Sequence, residues 1–336
     1  MPSRNSPSAS LNGSSAPTAA EGLWTISPIP GKGNGILATK PITSGTLIIS
    51  DPPLLTTACI KSISTTESDL AHTLRSLPKA KQRAFLSLHN NYVGQKNPLS
   101  NIVRTNGYPL GPSSDVGGVF QHISRINHSC LPNATHSWNA ALETVTVYAA
   151  RDIAEGQEIM VSYHAGGPSW MRQQILKDGF GFDCTCELCT LPTEKLHESD
   201  ARLTRAQELD TAIGRSHSVR YTPSKVLQNC RTLAGIYEEE QIKDDRTSRL
   251  WFDAFQVCNM HGDKARASVF AGRYCKEKKR NAGEWSLDLK EMQPFVKDPG
   301  KHDSFGMTKD WESEVNDVPR GVDDEAFEKW LWSKAT

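Results

Sequence analysis

No apolar run in these 336 residues approaches the roughly 20 positions that a membrane-spanning helix needs. The first twenty residues also lack the apolar core of a secretory leader, which predicts an intracellular protein, nuclear or cytoplasmic or both. Charge of one sign is missing too, since Lys+Arg 38 balance Asp+Glu 38. A general nucleic-acid binder needs a basic face to displace counterions, so direct nucleic-acid binding is not expected. Cysteine is scarce: eight residues are too few for a disulfide scaffold over this length. The length suits two domains, or one core with extensions. Three of the eight cysteines nevertheless fall within six positions, which in a reducing compartment points to a metal.

Residues 1–20 are mostly Ser, Ala, Pro, Asn and Gly with one charge, Arg4, and are expected to be disordered. Short β-rich runs follow at 35–39 and 46–50, punctuated by Gly31, Gly33, Gly35, Gly45 and the Pro52–Pro53 pair. Between 67 and 93 the period becomes helical, with Leu70, Leu74 and Leu77 on one face and Phe85 and Leu88 after Pro78. A Gly- and Pro-rich stretch, 107–118, precedes a second β-like region. There Val145, Val147 and Ala149 alternate with Thr144, Thr146 and Tyr148, a turn falls at Glu155–Gly156, and a strand ends near Tyr163. Beyond Cys189 the pattern stays helical. Trp251, Phe255 and Cys258, a His261-Gly262-Asp263 turn, then Ala265, Val269 and Tyr274 look like one tetratricopeptide-type hairpin. Residues 303–336 hold nine acidic and four basic residues and read as a solvated acidic tail, with a short helix over 326–332.

Four constellations could carry chemistry. Cys184, Cys186 and Cys189 offer three thiolates, and a structural Zn²⁺ site wants four ligands. The fourth is open among Cys59, Cys130, Cys230, Cys258, Cys275 and a histidine. Asn127-His128-Ser129-Cys130-Leu131-Pro132-Asn133 places amide, imidazole, hydroxyl and thiol together in a Pro- and Asn-punctuated loop. Taken alone it reads as an Asx-type turn. A Cys–His nucleophile pair is disfavoured: side chains two residues apart in an extended chain point the same way without engaging, and no orienting third group is evident. Lys32-Gly33-Asn34-Gly35 lets backbone approach a ligand, although a surface hairpin is the commoner meaning. Gly156-Gln157-Glu158-Ile159-Met160-Val161-Ser162-Tyr163 closes a strand with a tyrosine, by default a core or rim aromatic.

In that order, and with Phe182-Asp183 leading into the cysteine cluster, these motifs resemble the SET-domain protein lysine methyltransferases with a post-SET zinc segment. The match spans roughly 22–190, about half the chain. The helical insert, the short cysteine cluster and the helical C-terminal region look most like the SET-and-MYND branch. The Cys/His zinc module of that branch is absent, since only Cys59 and His72 lie where it would be inserted.

The resemblance implies an α+β fold: short curved sheets with a threaded (pseudoknot) strand and a helical insert, then an all-helical C-terminal region. It divides the chain into a disordered 1–20, a SET domain over 21–165 with its insert at about 60–100, and a post-SET zinc segment over 166–190. A TPR-like helical region over 191–290 and an acidic tail over 291–336 complete it. By the same resemblance Lys32, Gly33, Asn34, Asn106, Asn127, His128, Tyr163 and Phe182 bind S-adenosyl-L-methionine. Tyr163 stands at the transfer centre, Phe180 lines the lysine channel, and Cys130 completes a structural Zn²⁺ site with Cys184, Cys186 and Cys189. The expected partner is a protein with a target lysine, a histone tail or a non-histone protein, met by a monomer. The competing reading is a catalytically inactive SET-fold protein that binds partners through its helical half. A nucleic-acid-binding zinc protein fits poorly, because residues 21–190 carry 13 basic and 12 acidic residues and no Cys₂His₂ spacing.

Overall fold

A computed structural model describes residues 21–112 and 114–333; the disorder expected of 1–20 lies outside them. The chain opens with β1 (Trp24–Ile29), β2 (Gly33–Ala38), β3 (Leu47–Asp51) and β4 (Pro53–Thr56). Helices α1 (Thr66–Ser76), α2 (Lys79–Leu86) and α3 (Pro98–Asn106) form an insert. Then come β5 (Gly107–Pro109), β6 (Gly117–Phe120), β7 (Asn127–His128), β8 (Ala134–Asn139), β9 (Thr144–Ala149) and β10 (Glu158–Val161). The rest is helical: α4 (Ser169–Phe180), α5 (Thr193–Ile213), α6 (Ser216–Tyr221), α7 (Pro223–Glu239), α8 (Asp245–Met260), α9 (Lys264–Ala282), α10 (Leu287–Lys297) and α11 (Asp324–Trp332).

The strands make three small sheets, ordered β1-β2-β10-β7, β3-β9-β8 and β4-β6-β5. The β1–β2 hairpin turns at Gly31 and Gly33, both at φ 73°, where a side chain would be strained. In the first sheet β10 runs antiparallel to β2 and parallel to β7, pairing Met160 with Asn127 and Val161 with His128. That parallel pair brings segments more than thirty residues apart to one edge, and the candidate site stands on it. Ile36, Ile48, Phe120, Ile123, Val147, Ile159 and Val161 fill the core beneath. The insert packs Leu70, Leu74, Phe85 and Ile102 on Leu54, Leu55 and Val119 of the third sheet. Each such buried side chain contributes about 1.5–3 kcal/mol.

The Gly- and Pro-rich 107–118 stretch holds β5 and the first two residues of β6. Gly118 is needed there, since a Cβ would come 2.9 Å from Leu110 and Phe120. The 303–336 segment, read from its charge as a solvated acidic tail, instead sends Trp311, Leu331 and Trp332 into the helical core. A charge count averages over an amphipathic segment and misses its few apolar anchors. Helix α10 likewise carries the helical region past residue 290.

The helical region is fastened to the sheets along α9. Thr135 Oγ1 donates to Asn281 O at 2.9 Å, and Asn139 Nδ2 donates to Trp285 O at 3.1 Å. Tyr148, on the face of β9 opposite Val145 and Val147, lies against Gly283 at the end of α9. Both faces of β9 are therefore covered. No helix among the described residues is long and apolar enough to cross a membrane.

Candidate active site

Cys130 follows β7 at a bend, and the other three clustered cysteines follow α4. Helix α4 stops at Gly181, which takes φ 75° and donates its N–H to Lys177 O at 3.0 Å. The left-handed cap turns the chain back across the sheet edge. Gln173 then clamps the loop: its amide nitrogen donates to Cys184 O and its amide oxygen accepts from Cys184 N–H, both at 2.8 Å.

As a result the sulfurs of Cys130, Cys184, Cys186 and Cys189 all lie within 4.8 Å of one another. Cys130 Sγ is 3.9 Å from Cys184 Sγ and 3.5 Å from Cys189 Sγ. Tetrahedral ligands at a Zn–S distance of about 2.3 Å stand roughly 3.8 Å apart, so the donor set fits the ion in chemistry and spacing. Of the open alternatives, Cys230 and Cys258 are buried in the helical core, Cys275 packs against it, and Cys59 packs on the insert. Hydrogen bonding with Cys130 holds the Cys186 and Cys189 thiols low, while Cys130 itself is pushed up, foremost by Cys184.

Beside the cluster opens a cavity of about 520 Å³. Lys32, Gly33, Asn34, Asn106, Asn127, His128, Tyr163, Phe180 and Phe182, all nine non-metal residues singled out from the sequence, line it. They come from the β1–β2 hairpin, α3, β7, the segment just after β10, the last residue of α4 and the turn that follows it. Asn106 is buried, and its Nδ2 donates to His89 O at 2.7 Å and Ile102 O at 2.8 Å. Asn127 Nδ2 donates to Glu158 Oε1 at 2.7 Å, and Lys32 pairs with the other oxygen of Glu158 at 3.0 Å. Gly35 makes room for this knot: a Cβ there would stand within 3 Å of Ile29, Glu158 and Asn127.

Tyr163 and Phe180 face each other with ring centroids 4.6 Å apart. The Tyr163 hydroxyl donates to Ile126 O at 2.6 Å. Burial pushes that hydroxyl well above the ordinary phenol value, so it keeps its proton and cannot serve as a base near neutrality. His128 Nδ1 accepts from Tyr163 N–H at 3.0 Å, and burial pushes the imidazole down to about 3.

One expectation needs correcting. His128 Nε2 does engage Cys130 Sγ, at 3.3 Å, because β7 ends at His128 and the bend at Cys130 folds the two side chains together. The sulfur is shared with three others, so the contact does not make a nucleophile pair. Sequence reasoning gave Glu158 no role of its own within its motif and missed Arg172; only packing brings either to the site. It also passed over His164, next to the tyrosine it had singled out.

The SET domain family matches residues 33–164. The histone-lysine N-methyltransferase set5 of Schizosaccharomyces pombe is 31% identical over 284 residues, covering 83% of this chain and 85% of that protein. The mouse protein-lysine N-methyltransferase SMYD4 is 40% identical over 82 residues, covering 23% of this chain and 10% of that one. The human N-lysine methyltransferase SMYD2 is 22% identical over 213 residues, covering 56% and 48%. A sheet edge carrying the Asn-His and Tyr motifs, a four-thiol cluster beside it and relatives of this kind lead to one conclusion: the chain belongs to the SET-domain protein-lysine methyltransferase family, related to its SET-and-MYND-like branch.

Proposed function

We propose that this protein transfers a methyl group from S-adenosyl-L-methionine to the side-chain amine of a lysine in a protein substrate. The observation that carries the proposal is convergence: nine residues from distant segments line one cavity abutting the four-thiol cluster. The cofactor supplies an electrophilic methyl on a sulfonium. Lys32 offers a cation to a carboxylate, and Asn34, Asn106, Asn127 and His128 offer polar groups to the rest of an amino-acid moiety. Phe182 gives an aromatic face to an adenine. Tyr163 and Phe180 form an aromatic passage that aligns an amine with a methyl donor, which is first an entropic task. A lysine amine has an unperturbed pKa of about 10.4, and desolvation between these rings favours its neutral, nucleophilic form. No strong base is needed, and the protonated Tyr163 is consistent with none acting. Cys130, Cys184, Cys186 and Cys189 would hold a structural Zn²⁺ that pins the turn after α4 against the cavity.

A histone tail is the substrate class that the name of the Schizosaccharomyces pombe relative favours, which suits action in the nucleus. The test is incubation of the purified protein with isotope-labelled cofactor and core histones, then with a mixed protein extract, followed by peptide mass spectrometry. Labelled methyl-lysine is the expected product. Cofactor binding by calorimetry with no labelled lysine in either mixture would replace this reading with that of a non-catalytic interaction protein.

A further inference from the structure

Two imidazoles aim at one sulfur. His128 Nδ1 accepts from Tyr163 N–H at 3.0 Å, and His164 Nδ1 accepts from Gly166 N–H at 2.9 Å. A ring nitrogen that accepts carries no proton, so in both neutral rings the proton sits on Nε2. Both Nε2 atoms lie 3.3 Å from Cys130 Sγ. A third donor reaches the cluster from α4. Arg172, 1% exposed, donates Nη1 to Gly167 O at 2.6 Å and Nη2 to Cys189 Sγ at 3.8 Å.

Four thiolates around a divalent ion leave an excess of negative charge in a site where two of the sulfurs are buried. Such charge is costly unless hydrogen-bonded or paired. Packing alone gives no reason for two N–H groups, each oriented by a backbone donor on its far side, to meet at the same atom. That atom belongs to the one cysteine supplied from the sheet edge.

We propose that His164 and Arg172, together with His128, form a donor shell that draws charge from Cys130 and Cys189 and holds the metal. This deepens the tetrathiolate reading and rests on it. His164 and Arg172 are positioning residues, acting through sulfur. His128 spans both sites, since one ring nitrogen faces Cys130 and the other orders the Tyr163 backbone. Metal occupancy is thereby linked to the placement of Tyr163 through a single ring.

The test uses the full chain with its metal, and the same protein reloaded with Co²⁺. In H164L and R172M, loss of zinc to a chromophoric chelator is expected to be about tenfold easier or more, the range for lost outer-shell partners of metal ligands. The sulfur-to-cobalt charge-transfer band should move to lower energy, because a thiolate stripped of N–H donors gives up its electron more readily. H164Q and R172K, which keep a donor within reach, should restore most of both signals. If H164L does not fold, H164N carries the test, as its shorter amide falls short of the sulfur and the band must still move. Wild-type zinc content with an unmoved band and unchanged chelator competition in the variants overturns this inference alone. A wild-type protein that binds no zinc overturns both readings.

Discussion

Because the Tyr163 hydroxyl spends its proton on Ile126 O, at 2.6 Å, only its lone pairs and dipole are left to face the passage. That orientation suits a group that orders an amine and a moving methyl rather than one that removes a proton. Tyr163→Phe keeps the ring against Phe180 and deletes the dipole. Turnover should fall about 100-fold or more, the scale for losing one preorganised dipole at a transition state. Cofactor affinity should stay near wild type, and stability should drop by about 1 kcal/mol for the lost hydrogen bond. Single-turnover kinetics beside calorimetry and thermal unfolding checks all three, and undiminished turnover removes Tyr163 from the chemistry. At this scale the sequence was informative wherever residue order itself carried a motif: Lys32 to Asn34, Asn127 to Cys130, Phe180 to Cys189. Glu158 and Arg172 were opaque because their meaning comes from what faces them. Glu158 meets Lys32 from 126 positions away, and Arg172 meets Cys189 only because α4 and the loop after it fold back together.

The loop after α4 has few means of holding its shape without an ion. The Gln173 clamp grips Cys184, and Cys189 N–H donates to Cys186 O at 2.9 Å, but the turn at 181–183 is largely exposed. Four sulfurs drawn to one ion would supply the missing order, since metal binding of this kind is coupled to folding of its ligand loop. Cys184→Ser should therefore lose metal, measured by plasma mass spectrometry, and lose cofactor binding and methyl transfer with it. A metal-free variant that still methylates lysine would cut the link between cluster and cavity. Elements were legible in proportion to their periodicity. Leu70, Leu74 and Phe85 announced the insert, and Val145, Val147 and Ala149 announced β9. Strand β7 was not legible as a strand, because two residues cannot show a period and its parallel partner β10 lies more than thirty residues away. Strands β5 and β6 were hidden by glycines that the packing requires.

For the molecule as a whole, the question is how tightly the helical half and the sheets hold each other, and one contact offers a direct test. Gly283 ends α9 at φ 75° and ψ 177°, a backbone region that essentially only glycine occupies. A Cβ there would lie 2.0 Å from the Tyr148 hydroxyl oxygen and 2.3 Å from its ring carbon. Tyr148 is 5% exposed, so the ring has little room to yield. Gly283→Ala must then pay twice, once in backbone strain of about 1–3 kcal/mol and once in lifting α9 from β9. The two parts separate in a double-mutant cycle. Tyr148→Ala removes the ring, costing stability by its own cavity, and in that background Gly283→Ala should show the strain alone. The coupling between the two changes should reach about 0.5–3 kcal/mol in denaturant unfolding, as for residues in direct contact, with the double variant less destabilised than the sum. Additive effects would mean that α9 does not bear on β9 through this contact. A measured coupling would make the helical region part of the frame that holds the β8–β9 sheet.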